Sequence, residues 1–126
     1  MIVDHLLNKE TSIQLTEGLQ KRDFIYIDDV VDAFDRILNS SVQREPGYFS
    51  FEVGSGKTIS IREIVEMITT MVPGSLTVLK WGALPYRANE VMNSSVDFKP
   101  LFALGWRPKI SLEDGLARMI SEEIRS

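Results

Sequence analysis

Residues 18–31 read GLQKRDFIYIDDVV, and the order of their signals sets the architecture. Gly18 is a turn residue. Phe24-Ile25-Tyr26-Ile27 is an aromatic and β-branched run of the kind that makes a short buried strand. Asp28-Asp29 then open a helix, with Asp28 as the expected N-cap and Asp29 as an acid in the first turn. Arg22 stands on the connection leading into the strand. A planar guanidinium fixed at the mouth of a strand–helix unit can take two phosphate oxygens at once. The same Arg22 also fits a surface ion pair with Asp23 or another acid, because exposed pairs are common and weak.

On the N-terminal side, Ile2, Val3, Leu6 and Leu7 recur at helical spacing, which predicts a short amphipathic helix over Ile2–Asn8. Ile13–Thr16 alternates and reads as a short strand, ended by Glu17-Gly18. On the C-terminal side, Asp29–Asn39 reads as a helix. Its inward face is expected to be Val30, Val31, Phe34, Ile37 and Leu38, with Asp32, Asp35 and Arg36 turned away. Residues 40–46 read as a loop, and Tyr48–Val53 (YFSFEV) reads as the most strand-like run in the chain. Ser60-Ile-Arg-Glu63 is a capping box that opens a helix over Ile61–Met71, ended by Pro73-Gly74. Leu76–Trp81 reads as another strand, followed by a loop over Gly82–Val91. Asp97 is expected to cap a short helix near Phe98–Leu104, which Gly105 stops. Ser111-Leu-Glu-Asp114 opens a last helix over Leu112–Ile124, with Leu116, Met119 and Ile120 inward. Strands alternating with helices predict an α/β fold, a small mixed sheet with flanking helices.

The bulk properties narrow the function. The 126 residues carry 14 basic and 18 acidic side chains, for a net charge of −4. That balance argues against a nucleic-acid binder, which needs a basic face. It leaves room for a phosphate-bearing small ligand, which needs only one or two placed cations. There is no cysteine and one His, so no disulfide and no zinc site is expected. No apolar run approaches the length of a membrane span. The first residues carry no basic region and no cleavage site, so no signal peptide is expected.

Two further stretches bear on chemistry. Gly54-Ser55-Gly56-Lys57-Thr58 follows a strand-like run and invites a phosphate-loop reading. That motif needs a Gly where this chain has Phe51, so a plain glycine turn is the better reading. Leu84-Pro85-Tyr86-Arg87-Ala88-Asn89-Glu90 places an Arg and a carboxylate three residues apart in a loop. Two Arg forks, Arg22 and Arg87, can neutralise a pyrophosphate from two sides, and Glu90 can accept from a diol. The plain alternative is a surface loop with an ion pair between Arg87 and Glu90.

The run RDFIYIDDVVDAF resembles a motif of the extended short-chain dehydrogenase/reductases, the NAD(P)-dependent nucleotide-sugar epimerases, dehydratases and reductases. The resemblance implies that Arg22 binds the pyrophosphate of the nucleotide sugar. FEVGSGKTISIREI is similar to a family segment that is structural and sometimes lines the substrate pocket, with Phe51 replacing part of its usual polar start. Arg87 and Glu90 match the family's R-x-x-D. The resemblance implies that Arg87 binds the nucleotide phosphates and that Glu90, in place of Asp, accepts from the ribose hydroxyls. DFKPLFALGWRPKISLEDGL resembles the family's ending and reads as structural, with Trp106 an apolar anchor and Pro108 setting the turn before the last helix. PYRANEVM resembles members acting on CDP- or other NDP-linked deoxyhexoses more than it resembles UDP-galactose epimerases.

The resemblance runs over about residues 6–120 and covers only the C-terminal part of such enzymes. No Gly-rich dinucleotide fingerprint follows an N-terminal strand. No Y-x-x-x-K pair exists, because Tyr26, Tyr48 and Tyr86 are followed four residues on by Val30, Glu52 and Glu90. The expectation is therefore a single substrate-binding domain over residues 1–126, the C-terminal lobe of an extended Rossmann-type enzyme without its dinucleotide-binding domain. Arg22, Arg87 and Glu90 are its substrate-binding residues, and it has no catalytic or metal-binding residue. NAD or NADP belongs to the full-length parent, and none is expected on this chain, which alone is expected to be inactive. The expected partners are an NDP-hexose and the missing N-terminal Rossmann domain, with no nucleic acid and no membrane, in the cytoplasm. Apolar surface left open by the missing domain predicts self-association. The alternative is a stand-alone regulatory or protein-interaction module that kept the fold without the chemistry.

Overall fold

The computed structural model describes residues 2–40, 47 and 49–125. Three helices make the main core: α1 (Ile2–Leu7), α3 (Ile61–Met71) and α5 (Leu112–Arg125). Their apolar faces meet as the periodicity requires. Val3 and Leu6 from α1, Ile64, Val65 and Ile68 from α3, and Leu116 and Ile120 from α5 form one buried cluster. The caps fall where expected. Ser60 Oγ accepts from Glu63 N at 3.1 Å, and Ser111 Oγ accepts from Asp114 N at 3.1 Å, so each helix has an orphan amide satisfied by a side chain.

The strands are short and pair in both senses. β1 (Ser12–Gln14) runs parallel to β4 (Val78–Lys80), with Ile13 opposite Leu79. β2 (Lys21–Arg22) runs antiparallel to β3 (Ile59–Ser60), with Arg22 opposite Ile59. On its other edge, Lys21 N donates to Met92 O at 2.8 Å and its carbonyl accepts from Ser94 N at 3.2 Å. Helices flank these pairs, so the α/β expectation of a small sheet with both strand senses holds.

A second core joins α2 (Ile27–Ser40) to α4 (Lys99–Ala103) through Ala33, Leu101 and Trp106. Trp106 is the apolar anchor expected of it, with 1% of its surface exposed. Its ring stacks in a tilted ladder with Phe102, centroids 5.9 Å apart.

Several expectations give way. Phe24–Ile27 is not a strand: the ladder stops at Arg22 and Ile27 already belongs to α2. Phe24 packs on the main core and Ile25 on the second, so the run is apolar because it threads between two cores, not because it pairs. The start of α2 shifts accordingly. Tyr26 O accepts from Asp29 N at 3.0 Å and Val30 N at 3.3 Å, and Asp28 is an exposed first-turn residue rather than the cap. The inward face of α2 also differs. Asp29 and Ala33 are buried, while Val31, Phe34 and Leu38 are exposed by 60%, 59% and 67%. Residues 49–53 carry no strand; Phe51 and Val53 pack on the second core instead. Tyr48 and residues 41–46 lie outside the described residues. Phe98, not Asp97, holds the cap position of α4.

Candidate functional site

Two carboxylates of the RDFIYIDD run serve the backbone. Asp23 Oδ1 accepts from Ser55 N at 2.9 Å and Ser55 Oγ at 2.8 Å, and Asp23 Oδ2 accepts from Gly56 N at 2.9 Å. The glycine turn at 54–56 is therefore a small nest of amides already filled by this chain's own anion. That disposes of the phosphate-loop reading on geometry as well as on spacing. It also leaves no cradle there for a dinucleotide pyrophosphate, so this turn does not fit NAD. Asp29, exposed by 2%, accepts from Lys109 N and Ile110 N at 3.0 Å each. Each acid thus ties the central run to a distant turn.

These ties, together with β2, set Arg22 in place. Because β2 pairs with residues 92–94 on one edge, the preceding loop is drawn alongside Arg22. That loop turns tightly: Glu90 N donates to Arg87 O at 3.1 Å, and Asn89 sits at φ 66°, a left-handed position that Asn tolerates. Arg22 Nη2 then meets Glu90 Oε1 at 3.3 Å. Both side chains are partly covered, 30% and 20% exposed.

A cavity of about 290 Å³ opens beside this pair, lined by Thr16, Gln20, Tyr86, Arg87 and Glu90. Of the expected residues, Arg87 and Glu90 line it directly, and Arg22 meets it through Glu90. Glu90 pairs with Arg22 rather than with Arg87, so the local ion pair between Arg87 and Glu90 is not formed. Arg87 is exposed and has no ion pair or side-chain hydrogen bond among the described residues. Its fork is open to an anion.

The other wall is the loop at Gly18, which the sequence marks as a turn without marking it as part of a site. Gly18, at φ 70°, lets the chain turn where an added Cβ would lie 2.7 Å from the Trp81 ring. Gly18 O accepts from Arg62 N at 2.8 Å and Gln20 O from Ile61 N at 3.0 Å, so the loop is stitched to the first turn of α3. Arg62 Nε donates to Glu17 O at 2.9 Å, with its guanidinium 4.8 Å over Trp81. Tyr86 Oη accepts from Leu19 N at 3.0 Å, which ties the two walls together. Gln20 and Tyr86 were within reach of sequence reading: each lies within two residues of an Arg already singled out.

The comparisons agree with one another. A family model described as GDP-mannose 4,6 dehydratase matches residues 1–119. CDP-abequose synthase of Salmonella typhimurium is 37% identical over 120 residues, covering 94% of this chain and 40% of that protein. Among solved structures, dTDP-glucose 4,6-dehydratase from Bacillus anthracis, in complex with NAD, superposes with a TM-score of 0.80 at 17% identity. That match covers 99% of this chain and 38% of the other, and it establishes a shared fold. UDP-glucose 4-epimerase from Thermotoga maritima, with UDP-glucose, is 26% identical at a TM-score of 0.71, over 98% of this chain and 38% of its own. The chain spans about 40% of the length of the curated relatives it matches.

Proposed function

The chain belongs to the GDP-mannose 4,6-dehydratase family of extended short-chain dehydrogenase/reductases, and on that premise we propose that it holds the diphosphate and ribose of a nucleoside-diphosphate hexose. It does so as the substrate lobe of a larger NAD(P)-dependent epimerase, dehydratase or reductase. The observation that carries this reading is the meeting of Arg22 with Glu90 at 3.3 Å on a cavity that the open Arg87 also lines.

The chemistry follows from those three groups. Arg87 offers its fork to the phosphate oxygens. One oxygen of Glu90 faces Arg22, which leaves the other to accept from a ribose hydroxyl. The Arg22–Glu90 contact is longer than the 2.7–2.9 Å or so of a strong charge-assisted bond, so Arg22 can turn toward an arriving phosphate at low cost. Similarity to CDP-abequose synthase supports a CDP-linked deoxyhexose as the sugar nucleotide. The chain has no Y-x-x-x-K pair and no dinucleotide fingerprint, so hydride transfer is assigned to the rest of the parent enzyme, and this chain alone is proposed to be inactive. The exposed Ile27, Val31 and Phe34 of α2 support a face that a dinucleotide-binding lobe covers in that parent.

The test is an amide NMR titration of the chain with CDP-, UDP-, dTDP- and GDP-hexoses. Shifts are expected at Arg22, at Arg87–Glu90 and along residues 16–20. Arg22→Ala and Arg87→Ala should each weaken binding about tenfold or more, the worth of one hydrogen bond to a charged group. No shift with any of the four sugars would overturn the reading.

A further inference from the structure

Residues 15–20 carry no regular secondary structure, yet Thr16 and Gln20 form one wall of the cavity at Arg87 and Glu90. The loop is held in place from outside. Leu15 O accepts from Leu84 N at 3.0 Å, Gly18 O from Arg62 N at 2.8 Å and Gln20 O from Ile61 N at 3.0 Å. These are backbone groups, which almost any residue at those positions would supply. The grip of the Arg62 side chain depends on residue type. Its Nε donates to Glu17 O at 2.9 Å while its guanidinium carbon lies 4.8 Å from the centroid of the Trp81 ring. Arg62 is not itself part of the cavity lining.

The arrangement calls for an Arg. A guanidinium spreads several N–H groups over a rigid plane, so one part lies over an aromatic face while Nε donates elsewhere. A Lys ammonium is a single point at the end of its stem and cannot stand in both places. Between the two contacts the loop lies close against the pair. A Cβ added at Gly18 would be 2.7 Å from the Trp81 ring and 3.0 Å from Arg62 N. From there the chain of hydrogen bonds continues across the cavity. Leu19 N donates to Tyr86 Oη at 3.0 Å, Tyr86 precedes Arg87, and Glu90 N donates to Arg87 O at 3.1 Å. The first turn of α3 is thereby connected to the turn that carries Arg87 and Glu90.

We propose that Arg62, with Trp81 as its platform, is a positioning residue for the nucleotide site. It holds residues 17–19 against α3 and, through Tyr86, fixes the turn that presents Arg87. The inference rests on the nucleotide-sugar reading above and adds a residue that does not touch the ligand. A loop ordered in advance spares binding the cost of ordering it. The effect is reciprocal by linkage: a loop held for the ligand is held more firmly once the ligand is bound.

The experiment titrates the CDP-, UDP-, dTDP- and GDP-hexoses into the wild-type chain, Arg62→Met and Arg62→Lys, and measures amide hydrogen exchange of the wild type free and saturated. Arg62→Met keeps an apolar stem over Trp81 and removes both donor and charge. Arg62→Lys keeps the charge and removes the donor to Glu17 O. Both should bind about fivefold more weakly than the wild type. In the wild type, the ligand should slow exchange at Leu19, Ile61 and Arg62 several-fold more than at Ile68, a buried residue of the same helix. A purely structural role would not produce that difference. Wild-type affinity in Arg62→Lys would assign the effect to long-range charge, and wild-type affinity in Arg62→Met would remove it; either overturns the positioning role. So does equal slowing at all four amides, a readout that needs no variant and decides the matter even where a substituted chain fails to fold. Each of these outcomes leaves the nucleotide reading standing. Failure of all four sugar nucleotides to bind the wild type overturns both together.

Discussion

Asp29 shows how much one side chain can decide. Its carboxylate is buried and its two oxygens satisfy the amides of Lys109 and Ile110. Asp29→Ala removes both acceptors at once and leaves two amides without partners, so a loss of about 2–3 kcal/mol is expected. Urea unfolding should show it as a lower midpoint at unchanged slope. In the sequence, Asp29 reads as a favourable charge at a helix start, and that much is right. Its partners lie 80 and 81 residues away, a distance at which no local pattern carries information. The same holds at the site. Arg22, Arg87 and Glu90 stand out by residue type and spacing, but that Arg22 meets Glu90 across 68 residues is a tertiary fact.

At the scale of elements, helices were legible and strands only in part: β1 and β4 fall at the runs read as strands at Ile13–Thr16 and Leu76–Trp81, whereas Phe24–Ile27 and residues 49–53 carry no ladder. The capping serines of α3 and α5 are local devices, so sequence alone locates them. Ser60→Ala should cost about 1 kcal/mol, the usual worth of such a cap, again read from the urea midpoint. Strand reading failed at those two runs because composition reports burial on both faces, which pairing and threading produce alike. Phe24 and Ile25 face two different cores and so look like a strand without a ladder. The face of α2 failed for a related reason. Periodicity establishes that Ile27, Val31 and Phe34 share one side of a helix, but it does not say whether this chain supplies the cover. Small Ala33 is what turns inward.

For the molecule as a whole, that face predicts behaviour in solution. Ile27, Val31 and Phe34 are exposed by 62%, 60% and 59%, side by side on one helix, an arrangement that drives association when left uncovered. The isolated chain is expected to self-associate, seen as a concentration-dependent sedimentation coefficient. Val31→Glu with Phe34→Glu should shift it toward monomer and leave the unfolding midpoint nearly unchanged, since exposed substitutions move stability little. A strictly monomeric wild-type profile at high concentration would count against this. The carboxylate of Asp29 has one more consequence, for the order of events on the ribosome. Its amide partners are made 80 residues after it, which at ordinary elongation rates is roughly 4–16 s later. Throughout that interval the start of α2, and with it the approach to Arg22, waits unfastened in the nascent chain, so the binding surface is among the last parts of the protein to be completed.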